Sequence, residues 1–291
     1  YFQEHRKDDP SCSEFKPEDV LKVDLKDLNM RVLEGKPRPL FDHSKFHVSK
    51  SSLQTYDMCP YKFKLQDIQK TPSTKPTIPL DFGGSIHTMI DTLMKEDPKN
   101  IPTKENAMQK LKEKLIFRAF QSNNEEQYHM TRGEAIIENY LKWRKNNKNE
   151  VLKTEMWIDF EFEGVKITGK VDWLEKNPNG EYEVVDFKTG KTAASQTKVE
   201  EGLELYIYAR GIEKKKEYGK LPVKASLYFV EADKQVTIDL DESKVKKVFD
   251  EKIKDLIQGI MAEKFDATPE SYQCRERCQY LDICDAGKKV A

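Results

Sequence analysis

The sequence predicts an α/β protein with a mixed central sheet flanked by helices. Three observations carry that reading. Two strand-like runs, 165–174 and 181–190, are separated by the turn cluster Asn177-Pro178-Asn179-Gly180, so the chain doubles back as an antiparallel hairpin. Apolar residues at helical spacing fill the stretches before and between the strand-like runs. Further alternating runs follow a helical segment, and strands with helices before and between them suit an α/β sandwich.

In order, residues 4–42 read as a polar arm rich in Lys, Asp and Pro, with one short helix expected over 22–33. Tyr1-Phe2-Gln3 resembles the end of a protease-cleavable purification tag. Ser49 or Ser51 can cap a helix that carries Leu53, Tyr56 and Met58 inward. Residues 71–79, with Pro72, Pro76 and Pro79, read as a loop. Ile86, Met89, Ile90 and Leu93 then form a helical stripe over 82–94. Residues 103–149 read as helical, with one stripe on Ala107, Leu111, Leu115 and Phe120 and another on Ile136, Ile137, Tyr140 and Leu141. Lys142, Arg144, Lys145, Lys148 and Lys153 gather around Trp143; nucleic-acid contact and a solvated helix end both account for such a cluster. Residues 153–162 alternate as a strand, with Met156, Ile158, Phe160 and Phe162 on one face. A helix is expected from Val199 to about Lys216, then strands at 223–230 and 235–240. A long amphipathic helix carrying Val245, Phe249, Ile253, Ile257 and Ile260 follows.

The chemistry gathers on the hairpin. Asp186 and Lys188 stand two apart among Val184, Val185 and Phe187, so they share one side of their strand. A carboxylate embedded in apolar neighbours needs a partner. The hairpin can bring Asp172 close to Asp186. Two acids and a lysine on adjacent strands suit metal-assisted phosphodiester hydrolysis. The acids would hold Mg²⁺ or Mn²⁺, the metal lowers the pKa of a bound water, and the lysine positions that water or steadies the phosphate.

Gly169-x-x-Asp172, a turn, and Asp186-Phe187-Lys188-Thr189-Gly190 resemble the core of the PD-(D/E)XK nucleases, in their RecB-like branch. The resemblance runs in order over residues 46–284. Ser51-x-Leu53-x-x-Tyr56-x-x-Cys59-Pro60-Tyr61-Lys62-Phe63 resembles the N-terminal signature of members with an iron–sulfur cluster. Gly83-x-x-x-His87 resembles the motif whose histidine ligates the active-site metal, which implies His87 as a ligand; imidazole at that position favours Mn²⁺ over Mg²⁺. Glu155 stands where an acid often precedes the Gly-x-x-Asp segment. Glu204-x-x-x-Tyr208 resembles the Gln-x-x-x-Tyr motif that helps hold the active site, with Glu204 in place of Gln. That departure adds a negative charge near the metals. The resemblance also implies that the Phe187 carbonyl faces the metal. It implies a restriction-endonuclease-like core over 43–291, with 103–149 as a helical insert.

Cys274, Cys278 and Cys284 crowd the C-terminal segment 265–291, and Cys59 lies far upstream. Four thiolates can bind [4Fe–4S] or Zn²⁺, and spacing alone leaves both open. The set resembles the iron–sulfur staple of AddB-type and CRISPR-associated RecB-like nucleases, which implies a [4Fe–4S] cluster on Cys59, Cys274, Cys278 and Cys284. Members usually have two residues between the first two terminal cysteines; this chain has Arg275, Glu276 and Arg277. Such a staple closes a loop of about two hundred residues and turns metal affinity into folding free energy. Cys12 has no evident partner.

Composition bounds the rest. Fifty Lys and Arg nearly cancel 51 Asp and Glu, for a net charge of −1, which counts against a nonspecific basic coat on DNA. Five cysteines, an odd number, do not form a secreted disulfide framework, so a cytoplasmic setting is expected. No apolar run approaches a membrane span. The expected function is a Mg²⁺- or Mn²⁺-dependent DNA exonuclease on single-stranded or resected DNA, in repair, recombination or CRISPR adaptation. DNA and a helicase or other repair protein are the expected partners. The rivals are a DNA-binding or scaffolding subunit with a weakened site, and a zinc-stapled α/β protein with an accidental acidic hairpin.

Overall fold

The computed structural model describes residues 39–73, 78–115 and 122–291, without the side chains of 78–80. The helix expected at 22–33, Cys12 and Phe120 lie outside the described residues. The chain divides into two units, Tyr1–Leu40 and Phe41–Ala291, and the fold belongs to the second.

One six-stranded sheet is built on β1 (His47–Ser49), β2 (Glu150–Phe162), β3 (Val165–Lys176), β4 (Tyr182–Lys188), β5 (Lys224–Phe229) and β6 (Lys234–Asp239). Strand β3 organises it. β2 runs antiparallel along one edge of β3. The other edge is shared: β1 pairs parallel with 166–168, and β4 pairs antiparallel with 173–176. Neither strand pairs with residues 169–172, so the sheet forks there. β4 and β5 are parallel, which requires a crossover, and β6 returns antiparallel.

Helices cover both faces: α1 (Lys50–Met58), α2 (Pro60–Phe63), α3 (Ile78–Glu96), α4 (Lys104–Lys114), α5 (Asn123–Asn146), α6 (Gln196–Glu200), α7 (Glu204–Lys214), α8 (Glu242–Val248), α9 (Lys254–Met261) and α10 (Asp285–Lys288). The crossover consists of α6 and α7. One core joins Leu53, Ile158, Ile167, Val184, Ile207, Phe249 and Ile257; the other joins Ile86, Leu111, Ile137, Tyr140, Trp173 and Phe187. Neighbouring Val184 and Val185 therefore point into different cores. This is why the middle of β4, Val184 and Val185, is apolar on both faces. The expected mixed α/β sandwich is the observed architecture.

Several boundaries differ. Ser49 is the cap of α1, accepting from the Ser52 N–H at 3.0 Å, while Met58 is 40% exposed rather than inward. α3 begins at Ile78, before Phe82, because proline is tolerated in a first helical turn. The helix expected from Val199 splits into α6 and α7, since Gly202 disfavours a continuous helix and donates back to Val199. Glu204 thereby becomes the first residue of α7, where unpaired N–H groups favour a carboxylate. The Trp143 cluster is structural. Its indole donates to Gln235 at 2.8 Å and packs on Trp173 and Tyr228, Lys142 pairs with Asp233, and Arg144 lies over Trp173. No helix among the described residues is long and apolar enough to cross a membrane.

Candidate active site

The fork beside residues 169–172 opens into a cleft of about 530 Å³. Its lining includes His87 from α3, Asp172 from β3, Asp186, Phe187 and Lys188 from β4, and Tyr208 from α7. β3 and β4 place Asp172 opposite Asp186 just where their ladder stops. In place of the next ladder bond, Asp172 Oδ2 accepts from the Phe187 N–H at 2.8 Å. The Phe187 ring turns the other way, into the core with Trp173 and Tyr140.

Around Asp172 three ligand-type side chains meet. His87 Nδ1 lies 3.2 Å from Asp172 Oδ2 and 3.7 Å from Glu155 Oε1. One ligand atom from each of His87, Glu155 and Asp172 lies within 4.8 Å of the other two. Glu155 reaches this point from the middle of β2 with φ at +48°, a left-handed conformation that is costly for a residue with a side chain and is characteristic of functional positions. Lys170 pairs with Glu155 from the facing strand. Burial pulls the His87 pKa down. The carboxylates of Asp172, Glu155 and Asp186 outweigh it and raise the value to about 10, so His87 is an imidazolium when no metal competes. Burial raises the Glu155 pKa, and His87 and Lys170 reverse that, holding it below the usual range.

Asp186 is 2% exposed. Tyr208 donates to its Oδ1 at 3.0 Å. Lys188 Nζ lies 2.6 Å from Oδ2, an ion pair inside the cleft. Lys188 also donates to Glu204 Oε2 at 2.7 Å, and Lys50 donates to the same oxygen at 3.3 Å. Burial disfavours charge on Lys188, yet Asp186 and Glu204 hold its pKa well above the ordinary lysine range. It is a fixed cation. Burial, followed by the nearby carboxylates Asp186, Asp172 and Glu204, raises the Tyr208 pKa, so its hydroxyl stays a donor.

A divalent cation fits this donor set. The His87–Glu155–Asp172 trio offers two carboxylates and an imidazole at one point, and their ligand atoms lie within 4.8 Å of one another. The trio includes Glu155, read from sequence only as an acid upstream of the hairpin, while Asp186 is tied to Lys188 and Tyr208. Lys50 and Lys170 escaped sequence reasoning. Both depend on contacts across the fold, and only the closeness of Lys50 to the Ser49 cap hinted at its place.

The cysteines form a second group. Cys59, Cys274, Cys278 and Cys284 line one pocket, and all four are free thiols. A Cβ at Gly287 would lie 3.4 Å from Cys284 Sγ and 3.6 Å from Cys274 Sγ, so the missing side chain leaves room beside the sulfurs. The Gly287 N–H donates to Cys284 Sγ at 3.3 Å. Burial, with Cys274 and Cys59 adding to it, pushes the Cys278 thiol up; four gathered thiolates need a cation. Thr268 donates to the Met58 carbonyl at 2.9 Å and Tyr280 to the Thr71 carbonyl at 3.0 Å, so protein hydrogen bonds join the same two segments.

Comparison with known proteins supplies the family. A curated relative, a subunit of the ATP-dependent helicase/deoxyribonuclease of Streptococcus uberis, is 25% identical over 224 residues, covering 73% of this chain and 20% of that protein. This chain thus spans about a fifth of the length of the curated relative it matches. A crystal structure of a candidate exonuclease from Eubacterium rectale aligns with a TM-score of 0.47 and 11% identity, over 84% of this chain and 88% of that one. Residues 47–285 match the model of the PD-(D/E)XK nuclease superfamily, and the chain belongs to that superfamily.

Proposed function

We propose that the chain is a divalent-metal-dependent DNA exonuclease acting on single-stranded or resected DNA. The observation that carries this reading is the meeting of His87, Glu155 and Asp172 ligand atoms within 4.8 Å, in the same open cleft as the Asp186–Lys188 pair. Asp172, Asp186, His87 and the Phe187 carbonyl would hold Mg²⁺ or Mn²⁺, with Glu155 as a further ligand. The ion, when bound, would supply Lewis acidity toward a phosphate oxygen and a lowered pKa for an attacking water.

The side chains have separable tasks. Lys188, kept cationic, orients the water and the phosphate rather than abstracting a proton. Tyr208 fixes Asp186 through Oδ1, and Oδ2 faces the Lys188 ammonium. Glu204 anchors the Lys188 ammonium, and Lys50 offsets the charge that Glu204 brings. The name of the streptococcal relative supports DNA as substrate and a helicase as partner, in repair or recombination. The cysteine pocket fits a [4Fe–4S] cluster on Cys59, Cys274, Cys278 and Cys284, which would staple the two ends of the domain.

The test is release of labelled nucleotide from end-labelled DNA with and without Mn²⁺. The reading expects metal-dependent release by the wild type, abolished in Asp186→Ala and Lys188→Ala while circular dichroism shows the fold retained. Metal-independent binding without cleavage would instead support a scaffolding role.

A further inference from the structure

Beside the proposed metal trio stands a large aromatic side chain that the fold does not use. Trp157 is 66% exposed, the most exposed of the large apolar residues of the described chain. Its ring has no aromatic or cationic partner among the described residues. It is no stray surface residue, because it lines the active-site cleft. On β2 it follows Glu155 by two positions, and across the ladder it faces Lys170. Lys170 is itself 44% exposed and pairs with Glu155. An indole face, an exposed cation and the proposed phosphate-handling centre thus occupy one wall.

A second open cleft continues from the first through Ser49 and Thr168, which line both. It carries Phe46, His47, Lys45 and Lys70. Asp42, which pairs with Lys45, and Asp67 line it too, so the recognising groups are the indole and Lys170 of the first cleft. An exposed aromatic face beside a cation suits a single strand, whose bases present free faces. A duplex hides those faces inside its stack.

We propose that Trp157 is a stacking platform for an unpaired base at the entrance of the active site, and that it selects single-stranded over double-stranded DNA. The idea rests on the nuclease reading above and names the substrate form that the site takes. With the base on the indole, the adjoining phosphate lies toward Lys170 and the trio.

The test is binding of a labelled single-stranded DNA oligonucleotide and of a blunt duplex to the full chain, without added divalent ion. Trp157→Ala is expected to weaken single-strand binding about tenfold, with Trp157→Phe recovering most of it and duplex binding moving less than about twofold. The single strand should also quench the wild-type tryptophan emission, and the quench should vanish in Trp157→Phe, because Trp173 is buried and Trp143 is packed and hydrogen-bonded. Unaltered single-strand binding by Trp157→Ala, equal weakening on both DNAs, or no single-strand binding by the wild type would overturn the proposal. The two readings fail separately. Trp157-dependent binding without Mn²⁺-dependent cleavage removes the nuclease reading alone, and cleavage with no dependence on Trp157 removes the platform alone.

Discussion

Lys50 and Glu204 meet across the fold, Nζ to Oε2 at 3.3 Å, with 14% and 9% of their side chains exposed. Glu204 also accepts from Lys188, so one carboxylate is shared by two ammonium groups. The acid at 204 therefore does not sit as a bare negative charge beside the cleft. Breaking one partner of a buried pair leaves the other uncompensated, which costs more than the pair contributes. Lys50 is a positioning residue in this account. Lys50→Ala is expected to lower kcat/KM for DNA about five- to tenfold and to raise the Mn²⁺ concentration needed for half-maximal rate. Glu204→Gln in the same chain should restore most of the loss, since the amide no longer needs the second cation. A double-mutant cycle on rate and Mn²⁺ dependence checks this; additive losses would contradict it.

The hairpin and its acids were legible because their causes are local. Asn177-Pro178-Asn179-Gly180 sets the turn, and the period of two puts Asp186 and Lys188 on one side. Glu155 was legible as an acid in the right place, but its turn into the cleft depends on a left-handed backbone in mid-strand, which no propensity announces. The two tryptophans show the same limit. Trp143 lies among basic residues and is packed away by Tyr228, Trp173 and Gln235, whereas Trp157 sits in an ordinary alternating strand and faces the cleft. β1 was missed because three residues carry no period, and it exists only because β3 offers an unpaired edge.

His87 gives a pH signature in the absence of added metal. Its pKa in the folded protein is raised from 6.5 to about 10 by the surrounding carboxylates acting against burial. A raised histidine pKa means that the folded state binds the proton more tightly than the unfolded chain. The contribution is full below about pH 6.5 and is lost as pH rises toward about 10. Urea unfolding should show the wild type losing at least about 1 kcal/mol more than His87→Gln across that window. Parallel curves for the two proteins would contradict the assignment.

The cysteine pocket predicts a chemical composition. Purified without oxygen, the chain should hold about four iron and four sulfide per molecule. Cys59→Ser or Cys284→Ser should lose the iron and melt well below the wild type, because the cluster closes the long loop between Cys59 and the C-terminal trio. One zinc per chain, with no sulfide, would replace the cluster with the zinc alternative.

A packing prediction tests the fold itself. A Cβ at Gly211 would lie 2.3 Å from Ile158 Cδ1 and 2.8 Å from Ile158 Cβ, so α7 rests directly on β2. Gly211→Ala should destabilise the chain by about 1–3 kcal/mol through overpacking. Ile158→Val removes the nearest atom and should recover part of that loss in the double variant. Denaturant midpoints measure both; a neutral Gly211→Ala would show that α7 stands farther from the sheet.

The central claim is that a divalent ion at Asp172 and Asp186 drives phosphodiester cleavage in this cleft. The most direct measurement is Mn²⁺-dependent nucleotide release from end-labelled single-stranded DNA by the wild type and by Asp186→Asn, which keeps the shape of the side chain and removes its charge. The account predicts vigorous release by the wild type and a loss of about a thousandfold or more in the variant, at equal thermal stability. Equal release by the two proteins would contradict it.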